Sequence, residues 1–309
     1  MKSYVIKRLF QMIPILLGVS IITFLLLYIS PGDPAQKKLV ASDTLIEQEL
    51  LEQMREDMGL NRSFIEQYTS WLVGILHGDF GTCYKDNTPV ADKLFRALQK
   101  TALLAVCSII LAIVVSVPLG IYTAVRQGRA SDYIIRFLSF IGNSVPSFLL
   151  AVILMYFFCI RVKWFPVIAK QSVKGLFLPV LTLAIPRISS FVRQVRAIVL
   201  EQLGKDYVHG QRCRGVKEKY VLYKNVLHNS MISIITILGL SIGGLMGGSV
   251  VIETIFGWQG IGKLVMDSIT ARDYPVIQGF VIIMAAIYVV INLLTDLSYR
   301  YFDPRVERS

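Results

Sequence analysis

Apolar residues along this chain form long, nearly uninterrupted runs. A transmembrane helix needs about 20 mostly apolar residues, and in lipid only helices and closed barrels satisfy every backbone polar group. The runs are too long and too uniformly apolar for barrel strands. The pattern therefore predicts an all-α integral membrane protein with six transmembrane helices. The six runs are Leu9–Ile29, Ala102–Val125, Ile134–Ile160, Leu176–Val199, Met231–Ile252 and Val276–Tyr299.

These runs divide the chain into an N-terminal transmembrane helix (1–30), an insertion (31–97), a transmembrane core (98–302) and a short tail (303–309). The insertion opens with the helix-breaking SPGDP and predicts an amphipathic helix over 43–60, capped by Asp43, and a second helix over Phe64–Leu76. The first run could also be a cleavable signal peptide. Its length and the absence of a small-x-small site favour a retained span.

Charge supports a topology in which both chain termini are cytosolic. Only 17% of residues are charged, yet the net charge is +11. Lys2, Lys7 and Arg8 precede the first run, so the positive-inside rule places the N-terminus in the cytosol, and six spans return the C-terminus there. Residues 31–97, with eleven acidic and seven basic side chains, then lie outside. The basic excess therefore reflects topology beside membrane lipids, and no nucleic-acid partner is expected.

The segment GWQGIGKL (257–264) nearly matches the phosphate-binding P-loop. The last position is Leu264, which has no hydroxyl for magnesium, and no buried strand of a soluble α/β fold precedes the segment. The topology also places it outside the cell. We therefore expect no nucleotide binding at this position.

Catalytic and metal-binding patterns are missing. His77, His209 and His228 all lie outside the apolar runs, and the four cysteines form no CxxC pair. The runs contain no paired carboxylates. We therefore predict that the chain is not an enzyme, has no metal site and binds no cofactor itself.

Two features are candidates for a substrate path. Arg187 follows Pro186 near the middle of the fourth run. It could be a snorkelling or pore-facing cation, or it could contact an anionic or carbonyl-bearing substrate. Gly243 and Gly247 belong to a glycine-rich part of the fifth run. They could serve close helix packing alone or line a path that opens and closes.

A basic stretch, DYVHGQRCRGVKEKYVLYKNVLHNS (206–230), lies between two apolar runs on the predicted cytosolic side. Helical composition before and after Gly215, over Leu200–Arg214 and Lys217–His228, predicts a helical hairpin. It could be an interfacial loop held by lipid headgroups. Tyrosines among arginines are more typical of a protein interface, so we favour a docking element for a cytosolic partner.

This stretch resembles the cytosolic loop of binding-protein-dependent ABC importer permeases of the nickel/dipeptide/oligopeptide family. That loop typically reads DYV-x-x-A-R-A-K-G, followed by a basic helix and L-R-N. Gln211 and Cys213 replace the usual alanines here, and His228 replaces the arginine. The similarity covers nearly the whole chain. It includes SPGDPA (30–35), DFGTCY (79–84), SVPSF (144–148), WFP (164–166), IETIFGWQGIG (252–262) and RDYPVIQG (272–279).

The resemblance implies the first (B-type) permease subunit of a type I, MetI-like importer in a prokaryotic plasma membrane. Its implied partners are a second permease subunit, two cytosolic ATPase subunits that use ATP, and an extracytoplasmic substrate-binding protein. The loop at about 200–230 would hold the coupling helix that docks on an ATPase. The residues implied in coupling are Asp206, Tyr207, Arg212, Gly215, Lys217 and Tyr220.

The resemblance favours nickel, or a nickel chelate, as the transported substrate. This preference comes from the short insertion and from the DFGTCY and RDYPVIQG segments. The alternative is a di- or oligopeptide. A more remote alternative is an ATP-independent channel or carrier, or a membrane receptor.

Overall fold

The computed structural model describes residues 2–41, 47–169, 172–231, 233–235, 237 and 249–302, and this part of the chain is mainly helical. Two of the elements are π-helical turns, which we label π1 and π2. The elements in chain order are α1 (Lys2–Ile29), α2 (Pro34–Ala41), α3 (Gln48–Asp57), α4 (Phe64–Leu76), α5 (Val90–Val125), α6 (Ala130–Ser144), α7 (Ser147–Met155), π1 (Tyr156–Arg161), α8 (Val173–Leu203), α9 (Asp206–Cys213), α10 (Glu218–Tyr220), π2 (Val221–Val226), α11 (Val250–Phe256), α12 (Ile261–Ala271) and α13 (Tyr274–Phe302).

Four described helices, α1, α5, α8 and α13, are long and apolar enough to cross a membrane. The bent pair formed by α6 with α7 and π1 makes a fifth candidate span if it is counted as one. The predicted span Met231–Ile252 lies largely outside the described residues, as does the Asp43 cap. The helical membrane fold is therefore confirmed, whereas the count of six and the side of each terminus stay predictions.

The predicted run Ile134–Ile160 is not one straight helix. It breaks between α6 and α7 with a bend of 98°. Val145 is extended, with φ −78° and ψ 122°, because the ring of Pro146 disfavours helical geometry in the residue before it. Proline also lacks the N–H that would continue the helical ladder. The single span predicted over Ile134–Ile160 is therefore wrong at this point.

The helix that carries the second apolar run begins before that run, because α5 starts at Val90 and the run at Ala102. In the preceding insertion, the predicted helix Phe64–Leu76 is confirmed as α4, and a capping box between Ser63 and Glu66 fixes its start. The predicted helix over 43–60 is described only from α3 onward.

Helix α4 packs along the apolar helix α1. The hydroxyls of Tyr68 and Ser20 are hydrogen bonded at 2.9 Å. The Phe24 ring lies 5.5 Å, centroid to centroid, from the rings of both Phe64 and Tyr68, in edge-to-face geometry. Ser20 precedes the end of α1 by nine residues, or about 13 Å of helix. Helix α4 therefore lies against the apolar span itself.

The chain folds as two compact units, of which the first joins Met1–Thr101 to Gln259–Val290. Its core contains the fully buried Val90, Leu94 and Ile261. The backbone N–H of Ile261 donates to the Thr101 hydroxyl at 2.8 Å, which satisfies an otherwise free amide at the start of α12.

The second unit joins Ala102–Trp258 to Ile291–Ser309. A buried ion pair links α6 to α8, where Arg196 Nε and Nη2 each donate to Asp132 at 2.8 Å. The two helices also approach closely at Gly142, where a Cβ would lie 2.3 Å from the Ser189 hydroxyl. Helix α8 is thereby held firmly within this unit.

Candidate functional site

The basic stretch forms the predicted hairpin, with one difference in its helices. Helix α8 ends at Leu203, and Gly204 separates it from α9, so the expected helix over Leu200–Arg214 is interrupted. Gly215 has φ +75°, in the left-handed region that glycine adopts without steric cost. The chain reverses there and continues into α10 and π2. The predicted turn at Gly215 is thus present.

Three valines anchor the hairpin to the membrane-spanning helices. Val208 of α9 and Val221 and Val226 of π2 are fully buried. They form one apolar cluster with Ala124 of α5 and Val199 of α8. Both arms of the hairpin therefore share one apolar core with both long helices.

Polar contacts tie the two arms to each other. Arg212 donates from Nε and Nη2 to the Glu218 carboxylate at 3.1 and 2.5 Å. This pairing raises the pKa of Arg212 and lowers the pKa of Glu218. A second link joins the side-chain amides, with Asn225 Nδ2 donating to Gln211 Oε1 at 2.9 Å. These links hold the hairpin closed around Gly215.

The six residues implied in coupling fall into two groups. Tyr207 is half-buried and donates from its hydroxyl to Gln202 at 3.1 Å, and Arg212 is held by Glu218. Asp206, Lys217 and Tyr220 are exposed. The first group, with Gly215, shapes the hairpin, and the second lies on its free surface.

The free surface of the hairpin is aromatic and basic. Tyr220 and Tyr223 are 49% and 66% exposed. The Lys224 ammonium lies 4.8 Å from the centroid of the Tyr220 ring, a cation–π distance. Arg214 and Lys217 are also exposed. Such a surface can bind a protein partner that offers acidic groups and an apolar pocket.

Sequence reasoning missed Glu218, Gln211 and Asn225 as partners within the hairpin. Opposite charges on either side of Gly215 were a signal for the Arg212–Glu218 pair. The amide pair carried no such signal, because its side chains meet only once the π-helical turn is formed.

The substrate-path candidates are only partly described. Arg187 lies in α8, is half-buried, and has no hydrogen-bonded or ion-paired partner among the described residues. Gly243 and Gly247 lie outside the described residues. The structure therefore gives geometry for one candidate, a half-buried cation available to an anionic group.

The segment 257–264 does not have the P-loop arrangement. Helix α11 precedes it, and Gly257 ends that helix with φ +66°. Lys263 donates to the Asp267 carboxylate at 2.9 and 3.1 Å within α12. In the described part of the chain, no group of three metal-ligating side chains could hold a metal ion.

Several helices long enough to span a membrane, with a basic hairpin packed on two of them, define a polytopic membrane protein. The chain belongs to the family of binding-protein-dependent transport system inner membrane components, which it matches over residues 116–308. The N-terminal module of the same systems matches residues 1–105. The resemblance is confirmed: the chain is a multi-pass permease subunit of an ABC importer. Such a permease is not an enzyme, because separate subunits hydrolyse ATP.

Relatives align along almost the whole chain. An oligopeptide transport system permease protein from Bacillus subtilis is 39% identical over 99% of this chain and all of its own length. A dipeptide transport system permease from Alkalihalophilus pseudofirmus is 32% identical, with 99% and 100% covered. A glutathione transport system permease from Escherichia coli K12 is 34% identical, with 99% of both chains covered.

Solved structures support the type I importer fold. An inward-facing MetNI methionine ABC transporter has a TM-score of 0.57 at 17% identity, covering 68% of this chain and 96% of that one. An amino acid ABC transporter has a TM-score of 0.53 at 14% identity, covering 68% and 94%. At these identities the likeness concerns the fold alone.

Proposed function

We propose that this chain is a permease subunit of an ATP-driven importer of peptides. The observation that carries the proposal is its full-length similarity, at 32–39% identity, to permeases named for oligopeptides, dipeptides and glutathione. The initial preference for nickel came from short segments such as DFGTCY and RDYPVIQG. None of the three relatives is named for nickel, so the peptide alternative is better supported.

Arg187 fits this substrate class. A peptide carries a terminal carboxylate, and a half-buried guanidinium without a partner among the described residues can donate two hydrogen bonds to it. A bare divalent cation would instead be repelled by Arg187. We assign Arg187 a role in contacting the peptide as it crosses the membrane.

The hairpin of α9, α10 and π2 is the proposed coupling element. Its exposed tyrosines and cations dock on one of two cytosolic ATPase subunits. The buried valine cluster passes the resulting movement to α5 and α8. Because packed helices move between discrete arrangements, closure of the ATPases switches the path between its two sides.

The remaining partners follow from this assignment. A second permease subunit completes the path, and an extracytoplasmic binding protein delivers the peptide to the outer side, where residues 31–97 lie. The six-span topology with both termini in the cytosol is part of the same proposal. The chain itself binds no cofactor, and ATP is used by its partners.

The test is uptake by proteoliposomes that contain this chain, its partner permease and its ATPases, with the binding protein outside. Radiolabelled dipeptide, oligopeptide and nickel are offered separately and in competition. ATP-dependent peptide uptake that is indifferent to nickel is expected. Nickel uptake indifferent to peptides would overturn the peptide proposal and leave the permease assignment intact.

The variant Arg187→Gln tests the proposed contact with the peptide. Its control is Arg193→Gln, because Arg193 lies on the exposed side of the same helix. Loss of a charge-assisted hydrogen bond should raise the KM for peptide uptake at least about tenfold in the first variant. Equal KM values in the two variants would remove Arg187 from the path.

A further inference from the structure

A cleft of about 600 Å³ opens within the first unit, between α1, α2, the end of α12 and the start of α13. Pockets for drug-sized ligands span roughly 300–1,000 Å³, so the cleft can hold a sizeable molecule. One end is lined by apolar side chains, including Leu26, Leu27, Ile277 and Val281, and the other by the cations Lys37 and Arg272. The proposed function uses none of these residues.

Arg272 is placed at the polar end by an unusual local backbone. It ends α12 with φ +57°, in the left-handed region. Its guanidinium lies flat against Gly32, where a Cβ would come within 2.5 Å of Arg272 Cζ. Nη1 of Arg272 is buried and has no hydrogen-bond partner among the described residues. Arg272 also lines the cleft, so its guanidinium brings a positive charge to the polar end.

Lys37 adds a second positive charge with free donors. Among the described residues its ammonium donates to the Thr270 carbonyl at 3.1 Å, and an ammonium has three N–H donors. Asp33, four residues before Lys37, is ion-paired with Arg55 at 2.7 Å. Asp273, next to Arg272 in the chain, is buried and accepts from the Cys83 thiol at 2.7 Å. Neither carboxylate lines the cleft, where Lys37 and Arg272 are the charged residues.

The apolar end extends into the membrane-spanning helices. Thr23 lies six residues before the end of α1 at Ile29, and Val281 lies seven residues after Tyr274 along α13. At 1.5 Å per residue, the cleft is about 10 Å deep along each helix. Tyr274 lies where α13 begins, and tyrosines are enriched where a spanning helix meets the lipid headgroups.

We propose that this cleft binds an anionic phospholipid. Its headgroup phosphate would accept hydrogen bonds from Arg272 and Lys37, and one acyl chain would lie between α1 and α13. A free anion would not use the apolar walls. The polar backbone of a peptide would leave its amide groups unsatisfied against the apolar walls. A phospholipid has both parts, at the spacing that the cleft provides.

Native mass spectrometry of the assembled importer, taken from nanodiscs of defined composition, tests the proposal. From nanodiscs that contain both phosphatidylglycerol and phosphatidylcholine, the importer is expected to retain phosphatidylglycerol. Lys37→Gln and Arg272→Asn should each lower its occupancy about fivefold, the usual effect of one cation near a lipid surface. Asparagine tolerates the left-handed backbone at position 272, so this change preserves the local fold.

Val281→Trp fills the apolar end without changing charge and should also release the lipid. Ile22→Trp, at a 59% exposed position of α1 outside the cleft, is its control and should retain it. Equal retention in the two tryptophan variants would overturn the proposal. So would equal retention of phosphatidylcholine, or release of the lipid by inorganic phosphate alone. Loss of binding-protein affinity in Arg272→Asn with unchanged lipid would also overturn it, in favour of a protein contact.

Discussion

Gly215 and Gly128 have nearly the same backbone conformation, with φ +75° and +76°. At neither residue would a Cβ meet an atom within 4 Å. Any side chain at either position is therefore strained by the backbone and not by its neighbours. The two residues differ in location, because Gly215 turns the basic hairpin and Gly128 lies in the short loop between α5 and α6.

This pair gives a matched prediction for the hairpin. Gly215→Val should lower stimulation of ATPase activity by the loaded binding protein about tenfold. A valine in the left-handed backbone conformation costs roughly 1–2 kcal/mol, and this strain favours opening of the hairpin. Gly128→Val carries the same strain and should keep most of the stimulation. Membrane insertion of both should be normal by immunoblot. Equal stimulation in the two variants would contradict a coupling role for the hairpin.

Sequence reasoning found Gly215 because glycine between two helical segments is a local signal. It did not separate Tyr207 and Arg212, which hold the hairpin, from Lys217 and Tyr220, which lie on its surface. That distinction depends on contacts with Gln202 and Glu218, which form only after the turn is made.

At the scale of the helices, α5 and α8 pack closely where α5 has a glycine. Gly120 of α5 faces α8, and a Cβ there would lie 2.7 Å from the Val195 side chain and 3.1 Å from the Val192 carbonyl oxygen. Backbone cannot move aside as a flexible side chain can. Small residues therefore set the distance between these helices, as they commonly do in membranes.

Gly120→Val should destabilise the purified chain by about 1–3 kcal/mol, the usual cost of overpacking. This corresponds to a fall of roughly 3–10 °C in the thermal midpoint. Gly18→Val is the control, because a Cβ at Gly18 in α1 meets no atom within 4 Å. Thermal unfolding in detergent measures both. A midpoint equally low in both variants would argue against a tight contact at Gly120.

Apolar runs predicted the existence of these spans but not all their boundaries. Hydropathy shows where a run of apolar residues is long enough to span a membrane, so the positions of α1, α8 and α13 were predicted well. The break at Pro146 was missed because the run stays apolar through it. The packing of α4 on α1 was missed because Ser20 and Tyr68 are 48 positions apart in the chain, beyond any local pattern.

The assignment as an importer permease depends on the whole chain, since the two family matches together extend from residue 1 to residue 308. Sequence motifs were sufficient for the family, because SPGDPA, the hairpin and GWQGIG are spread along the chain. They were not sufficient for the substrate, since selectivity in such systems also depends on a binding protein encoded elsewhere. The peptide proposal therefore comes from relatives, and a contact with Arg187 is its proposed physical basis in this chain.

The most direct test of the account uses a native cysteine. Cys213 is exposed at the end of α9, whereas Cys83 and Cys159 are buried. Burial also raises the pKa of the Cys83 thiol, which lowers its reactivity further. A membrane-impermeant maleimide should therefore label Cys213 first, and the Cys213→Ser variant identifies that label.

The measurement is labelling in inside-out vesicles and in spheroplasts, with and without the ATPase subunits. The account predicts labelling from the cytosolic side alone and strong protection of Cys213 when the ATPases are bound. Labelling of Cys213 from outside, or an unchanged rate with the ATPases present, would contradict the claim that this hairpin couples the permease to its ATPases.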